Sequence, residues 1–361
     1  MILLSSLQAQ AMVMVEYGKP LELQDVNVEL PSDAIVVEIL AAGVCGSDLH
    51  MWRGKDPRAV PPFVLGHEGV GRIFSLPHEK QDLLGSELKN GDLVLWNRGM
   101  SCGECEHCVL WKRPALCQKR WTYGINPPRD WGLLQGCYAT HILLRPQTEF
   151  VKLSAEVDLE AMVTASCSGA TAAHALDLVS IRPGQTVLVQ GSGPMGLFAV
   201  ALAANRGARV FVIGSGRERL RLAIQLGAHR VWDRRQTSIQ ARSEEIKAGG
   251  SGVDVVVEAV GRSSALEEGL ALLRPGGTYL VAGFGNPQDQ LQLDPFQLAR
   301  RQIRLQGVWT GDATHLLHAA SLVASGPARF KNMATTFPLK AANEALLAME
   351  RREIIKAVLK P

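Results

Sequence analysis

Thr186-Val-Leu-Val-Gln-Gly-Ser-Gly-Pro-Met-Gly196 (TVLVQGSGPMG) is the stretch on which the fold turns. A short apolar, β-branched run, Thr186 to Gln190, enters Gly191, Gly193 and Gly196 at the spacing GxGxxG, and Met195 to Asn205 then carry apolar residues at helical spacing. The glycines therefore occupy a strand-to-helix turn, where backbone N–H groups and a helix N-terminus can face a pyrophosphate. A lone GxGxxG would also suit a glycine-rich turn with no ligand, so its surroundings decide. Further strands are expected at Arg209 to Ile213, Arg230 to Trp232, Asp254 to Glu258, Thr278 to Gly283 and Arg304 to Val308, with helices at Glu218 to Leu226 and Ser264 to Leu273. Strands and helices alternating at βαβ spacing predict an α/β, doubly wound parallel sheet that binds a dinucleotide.

Upstream, the texture differs. The first 160 or so residues are rich in Gly and Pro, with short β-branched runs at Ala34 to Ile39, Gly69 to Phe74 and Asp92 to Trp96. This predicts a β-rich domain with long loops. An Ala-rich helical stretch, Thr171 to Val179, leads into the alternating part. After Trp309 the pattern becomes helix, loop and helix, including FPLKAANEALLAME, and this tail is expected to pack back on the first domain. A chain of 361 residues exceeds one ordinary core. The expected division is 1–166, 167–308 and 309–361.

Composition excludes several classes. With 47% hydrophobic and 20% charged residues the chain is neither disordered nor fibrous. A net charge of +3 gives no reason to expect nucleic acid or an anionic membrane as partner. The beginning, MILLSSLQAQ, has too short an apolar patch for a signal peptide or a spanning helix, so a cytoplasmic protein is expected. In that reducing compartment the seven cysteines read as thiols or metal ligands rather than disulfides.

Cys102, Cys105, Cys108 and Cys117 stand as C-x2-C-x2-C-x8-C, a spacing that lets four thiolates converge on one ion. A closed four-thiolate site is structural zinc. The GECEHC segment has almost no apolar residues, so a metal would supply the cohesion that packing cannot. Free cysteines and an iron–sulfur cluster are the competing readings, the latter without other signs of electron transfer. A second site is suggested by GVCGSDLH and FVLGHEGVGRI, which contribute Cys45 and His67. A catalytic zinc takes three protein ligands and keeps one position open, and Cys167 in TASCSGATAAHAL is the candidate third ligand.

Taken in order, GVCGSDLH, GHEGVG, the four-cysteine lobe, VLVQGSGPMG and LLRPGGTYLVAG make nearly the whole chain resemble the zinc-containing medium-chain dehydrogenase/reductase superfamily, which includes the alcohol, sorbitol and threonine dehydrogenases. The resemblance implies a GroES-like catalytic domain joined to a Rossmann cofactor domain. It makes Cys45, His67 and Cys167 the catalytic zinc ligands and puts Glu68 near the metal as an occasional ligand; some branches use Glu as the third ligand in place of Cys167. Asp48 would hold the second ring nitrogen of His67, with a turn-capping Asp as the plainer alternative. Ser47 and His50 resemble the family's proton relay; a turn hydroxyl and a surface histidine would explain them as well. The x8 interval before Cys117 is one residue longer than in many members. Cys137 matches no family ligand and reads as a core thiol.

The expected cofactor-binding residues are Gly191, Gly193, Pro194, Met195, Gly196, Ser215, Arg217 and Val260. The second strand ends in Gly214-Ser215-Gly216-Arg217, with no carboxylate at its tip for the ribose hydroxyls of NAD. A hydroxyl and a guanidinium there suit the extra phosphate of NADP(H), which is favoured over NAD(H); in the competing reading Glu218 serves NAD. The expected protein is an enzyme with two zinc ions per chain, one catalytic and one structural, that transfers a hydride between a small alcohol or polyol and NAD(P). Zinc would lower the pKa of the substrate hydroxyl. Alternatives are a zinc reductase of carbonyl or conjugated double bonds and, from another class, a non-catalytic cofactor-binding protein on the same fold. Trp52, Arg53, Lys55, Arg58 and Trp121 could lie by the cleft and admit an anionic substrate group, or form a solvated loop. The resemblance also implies a homodimer or homotetramer.

Overall fold

The computed structural model describes residues 6–127, 131–283, 285 and 290–361. The apolar patch at 1–4 lies outside them. The chain forms two compact units, one of residues 1–167 and 312–361, the other of residues 168–311.

The second unit is a six-stranded sheet in which every neighbouring pair is parallel. Its spatial order is Arg230–Asp233, Arg209–Gly214, Thr186–Gln190, Val253–Glu258, Leu273–Val281, Arg304–Gly307. This is the doubly wound order: the chain starts at Thr186–Gln190 in the middle and reverses beside it, leaving a crevice at the strands' C-terminal ends. The strands are near-continuous apolar runs because helices cover both faces. Helix Pro194–Asn205 is correspondingly apolar all round, with Gly196 through Ala203 all buried. Every strand expected from the sequence is present. Helix Ile239–Lys247 (IQARSEEIK) was not expected: only its two isoleucines are large and apolar, so it lacks a periodic stripe, and Ser238 starts it by accepting the N–H of Ala241 at 3.1 Å.

The first unit centres on a sheet of seven strands with Ile35–Val44 in the middle, flanked by Glu68–Ser75 and Lys356–Lys360, with His141–Leu144 also paired to it. A smaller sheet pairs Ser6–Met14 with Glu22–Glu29 and Phe63–Val64. The tail differs from its reading as helix, loop and helix. After helix Ala313–Ser325 it adds strand Ala334–Pro338, helix Ala342–Glu350 and strand Lys356–Lys360, the last antiparallel to Ile35–Val44. KAVLK is too short to show a period, and its strand identity comes from its neighbour.

Leu188, fully buried in the first strand of the parallel sheet, packs with Phe211, Val256 and Tyr279. Leu188→Ala is expected to lower the unfolding free energy by about 2–5 kcal/mol, measured by urea denaturation.

Candidate metal centre and cofactor turns

Strand Ile35–Val44 ends at Cys45, which starts the short helix Gly46–Trp52. Asp48, at the third helical position, turns its carboxylate back so that Oδ2 accepts the Cys45 N–H at 2.7 Å. The same oxygen accepts the Tyr138 hydroxyl at 3.1 Å, and Oδ1 lies 3.1 Å from Nδ1 of His67. One buried carboxylate thus fixes both the Cys45 turn and the imidazole.

His67 directly precedes strand Glu68–Ser75, whose register against Ile35–Val44 sets Glu68 opposite Gly43. Glycine leaves room for this placement of the Glu68 carboxylate, since a Cβ on Gly43 would stand 2.2 Å from its Oε2 and displace it. Cys167 arrives from elsewhere, in a single π-helical turn, Ala165–Gly169. Such widened turns re-aim a side chain and recur at functional sites.

The donor atoms of Cys45, His67, Glu68 and Cys167 all lie within 4.8 Å of one another. The two sulfurs are 3.9 Å apart, which rules out a disulfide and matches the about 3.8 Å between two thiolates bound tetrahedrally at zinc–sulfur distances. Nδ1 of His67 faces Asp48, so Nε2 faces the cluster, 3.4 Å from Ser47 Oγ and 4.0 Å from Glu68 Oε1. Glu68 Oε1 is bonded by Lys356 Nζ at 2.6 Å, while its Oε2 is buried without a hydrogen-bond partner. Two sulfurs, one imidazole nitrogen and a carboxylate oxygen form a donor set that fits a divalent zinc ion.

The electrostatics agree. The Cys45 thiol is drawn well below its usual range, chiefly by the Cys167 thiol donating to it, against burial and helped by Lys356 and His67. Cys167 is pushed up by the same bond and by burial. Burial pulls His67 down, but the charge and hydrogen bond of Asp48, with Cys45 behind them, hold it up at about 9. Burial raises Glu68 against the attraction of Lys356. His67 Nε2 and the two sulfurs would hold a divalent metal whose charge offsets the negative charge crowded there.

Cys102, Cys105, Cys108 and Cys117 also bring their sulfurs within 4.8 Å of one another. Cys117 Sγ is 3.5 Å from Cys102 Sγ and 3.9 Å from Cys105 Sγ, so the longer last interval still closes the set. Their amides point inward: Cys102 N–H meets Cys117 Sγ at 3.2 Å and Cys105 N–H meets Cys102 Sγ at 3.4 Å. Cys137 is buried, in keeping with a core thiol.

In the second unit Gly191 takes φ +112° with its Cβ position 3.0 Å from the Ala259 carbonyl, and a Cβ on Gly196 would lie 2.1 Å from the Gly191 carbonyl. Gly193 caps helix Pro194–Asn205, with Pro194 at the first turn where a missing N–H costs nothing. Met195 is half-buried there, and Val260, 38% exposed, stands beside Gly191. Ser192 Oγ both accepts the Ser215 N–H and donates to the Ser215 carbonyl, tying the phosphate turn to the tip of Arg209–Gly214. Arg217 is the first, exposed residue of helix Arg217–Gln225. His50 is half-buried on the Cys45 helix, its imidazole lowered by burial and Lys55.

Three residues escaped the sequence reading. Lys356 and Tyr138 serve the metal cluster, and Glu258 is buried at the end of its strand. A lysine inside the apolar run IIKAVL was the one visible signal, because a buried lysine needs a charged partner. The suggested basic cluster is partly neutralised, since Arg53 pairs with Glu350 at 2.8 Å and Arg58 with Asp56 at 2.6 Å.

Comparison with known proteins agrees. Residues 31–155 match the alcohol dehydrogenase GroES-like domain family, and residues 194–325 match the zinc-binding dehydrogenase family. D-xylulose reductase A of Aspergillus oryzae is 31% identical over 309 residues, 83% of this chain and 82% of that one. The crystal structure of an alcohol dehydrogenase from Thermotoga maritima is 44% identical with a TM-score of 0.95, covering 98% of this chain and 100% of that one. A zinc-binding dehydrogenase from Sinorhizobium meliloti bound to NADP is 25% identical with a TM-score of 0.86, covering 98% and 99%.

Asp48→Ala leaves the Cys45 N–H, Tyr138 hydroxyl and His67 ring without their acceptor and is expected to cost about 3–5 kcal/mol of stability, whereas Tyr138→Phe should cost only about 0.5–1.5 kcal/mol. Paired chemical-denaturation curves give the comparison. With its metal-type donor set, its doubly wound second unit and these relatives, the chain belongs to the zinc-dependent medium-chain dehydrogenases/reductases, oxidoreductases that exchange a hydride between an alcohol and a nicotinamide cofactor.

Proposed function

We propose that this enzyme oxidises a small alcohol or polyol, and reduces the matching carbonyl, at a zinc ion held by Cys45, His67 and Cys167 in the unit of residues 1–167 and 312–361, using NADP(H) held by the unit of residues 168–311. The observation that carries the reading is the convergence of four donors within 4.8 Å, one of them oriented by a buried carboxylate. When bound, zinc would polarise the substrate oxygen, and the nicotinamide ring would take or return the hydride. The residues supply the rest. Asp48 fixes the His67 tautomer by holding Nδ1–H, leaving Nε2 free to coordinate. Lys356 holds Glu68 by Oε1 at the cluster, where its carboxylate is an occasional fourth donor. Ser47 Oγ would accept the substrate's proton as it gives up its own toward His50, on the same helix, whose imidazole pKa burial lowers. Cys102, Cys105, Cys108 and Cys117 hold a second, structural zinc.

The NADP preference rests on Ser215 and Arg217 at the tip of the second strand, where Gly214-Ser215-Gly216-Arg217 holds no carboxylate. A homodimer or homotetramer is supported by the sheet's edge strand Arg304–Gly307, exposed at every position and accompanied by exposed Phe296, Leu305 and Trp309. A cytoplasmic site of action suits seven cysteines that form no disulfide; among the described residues no helix is long and apolar enough to cross a membrane.

Cys45→Ser is expected to abolish turnover and lower bound zinc from two to one per chain while dinucleotide binding persists, read by elemental analysis and cofactor titration. An active variant with one zinc would remove Cys45 from the catalytic site. NADP+ should give a higher kcat/KM than NAD+ with an alcohol and polyol panel, and Arg217→Ala should lower that ratio about tenfold or more by removing a charge-assisted bond. A wild-type preference for NAD+ ends the NADP reading.

A further inference from the structure

Strand Val253–Glu258 delivers a carboxylate to the C-terminal edge of the parallel sheet and buries it completely. Its Oε1 accepts the backbone N–H of Val260 at 2.5 Å and of Gly261 at 2.6 Å. Oε2 is buried with no hydrogen-bond partner, and burial pushes the group's pKa up against the pull of the Gly261, Val260 and Gly283 amides. A carboxylate in this condition is costly, because desolvation of a charge is only partly offset by backbone amides. An apolar side chain of similar size would fill the space more cheaply. What it could not do is fix the turn Ala259–Gly261.

That turn touches two others. On one side, Ala259 N–H donates to the Gln190 carbonyl at 2.8 Å, and the Ala259 carbonyl and Val260 Cγ2 lie 3.0 and 3.2 Å from the Cβ position of Gly191, the first glycine of the phosphate turn. On the other side, the Glu258 carbonyl accepts the N–H of Ala282 at 3.0 Å and of Gly283 at 2.9 Å. A Cβ on Gly283 would stand 2.2 Å from the Gly261 nitrogen and 2.7 Å from Glu258 Oε2. The Glu258 side chain therefore fixes a turn, Ala259–Gly261, whose backbone is bonded or packed against the turns that follow the two neighbouring strands, Thr186–Gln190 and Leu273–Val281. The C-terminal edge of such a sheet is where a dinucleotide lies.

We propose that Glu258 is a positioning residue for the dinucleotide: its Oε1 sets the backbone of Val260 and Gly261 against the phosphate turn, and through that placement governs cofactor affinity without touching the reacting atoms. The inference rests on assigning the nicotinamide cofactor to this sheet edge. It does not depend on which cofactor is preferred, because the phosphate that distinguishes NADP from NAD is assigned to the tip of Arg209–Gly214.

The test is steady-state kinetics and direct titration with NADP+ and with NAD+ on the zinc-loaded enzyme. Glu258→Leu, which keeps bulk and removes the acceptor, is expected to raise the KM and Kd of both cofactors in parallel by about tenfold or more, as the loss of two bonds to a carboxylate implies. Zinc content, KM for the alcohol and kcat at saturating cofactor should stay within about threefold of wild type. Glu258→Gln, which restores an oxygen acceptor, should recover most of the affinity. If Glu258→Leu does not fold, Gly283→Ala addresses the same turn from the opposite side and should produce the same cofactor-specific loss. Melting temperature falling with cofactor KM unchanged would overturn the proposal, as would equal losses in alcohol and cofactor KM. An altered NADP-to-NAD ratio with undiminished binding of one cofactor would also overturn it, whereas a wild-type preference for NAD+ would bear only on Arg217.

Discussion

A small buried volume holding two sulfurs, an imidazole and a carboxylate is the constraint on which the first unit depends. Without a cation these groups repel and compete for protons, as the split between a lowered Cys45 and a raised Cys167 expresses. The surrounding fold answers that crowding in detail. Asp48 receives the Cys45 amide, the Tyr138 hydroxyl and the His67 ring; Lys356 receives Glu68; glycine at position 43 leaves room for the Glu68 carboxylate. Each of these is a cost unless the whole set is present, because a buried charge that loses its partner is far less stable than one that never had to be buried.

The second unit meets a different demand with a similar economy of groups. A dinucleotide must approach the backbone closely along the edge of the parallel sheet, so side chains are withdrawn there and glycines stand at Gly191, Gly196 and Gly283 against neighbouring carbonyls and amides. Turns so poor in side chains have little packing to hold them. Ser192 and Glu258 supply hydrogen bonds in its place, the former to the second strand's tip and the latter to the Val260 and Gly261 amides of the turn between its neighbours.

Much of this was legible in the chain. The strand positions of the parallel sheet followed from apolar runs punctuated by glycine, and the two groups of converging donor atoms followed from cysteine and histidine spacing together with the family resemblance. The parts that were not legible share a cause. Lys356 is 288 residues from Glu68, and strand Lys356–Lys360 is a strand because it pairs with Ile35–Val44. Helix Ile239–Lys247 was hidden for the converse reason, having too few apolar residues to mark a buried face. In the basic loop near Trp52, the sequence displayed the charges of Arg53 and Arg58 but not Glu350, the distant partner of the first.

By itself the sequence determined what is local: the glycine-rich turn opening a helix, the closely spaced cysteines of the lobe, and the Cys45–Asp48 turn, because these depend on residues a few positions apart whose backbone preferences and donor chemistry are written in order. Only the tertiary structure decided what is convergent. It brought Cys167 to Cys45, joined Lys356 to Glu68 and Tyr138 to Asp48, and set Glu258 among three turns. Burial is the reason: once removed from water, each charge and each polar hydrogen must find its partner in space, and strand pairing rather than sequence spacing determines which partner is within reach.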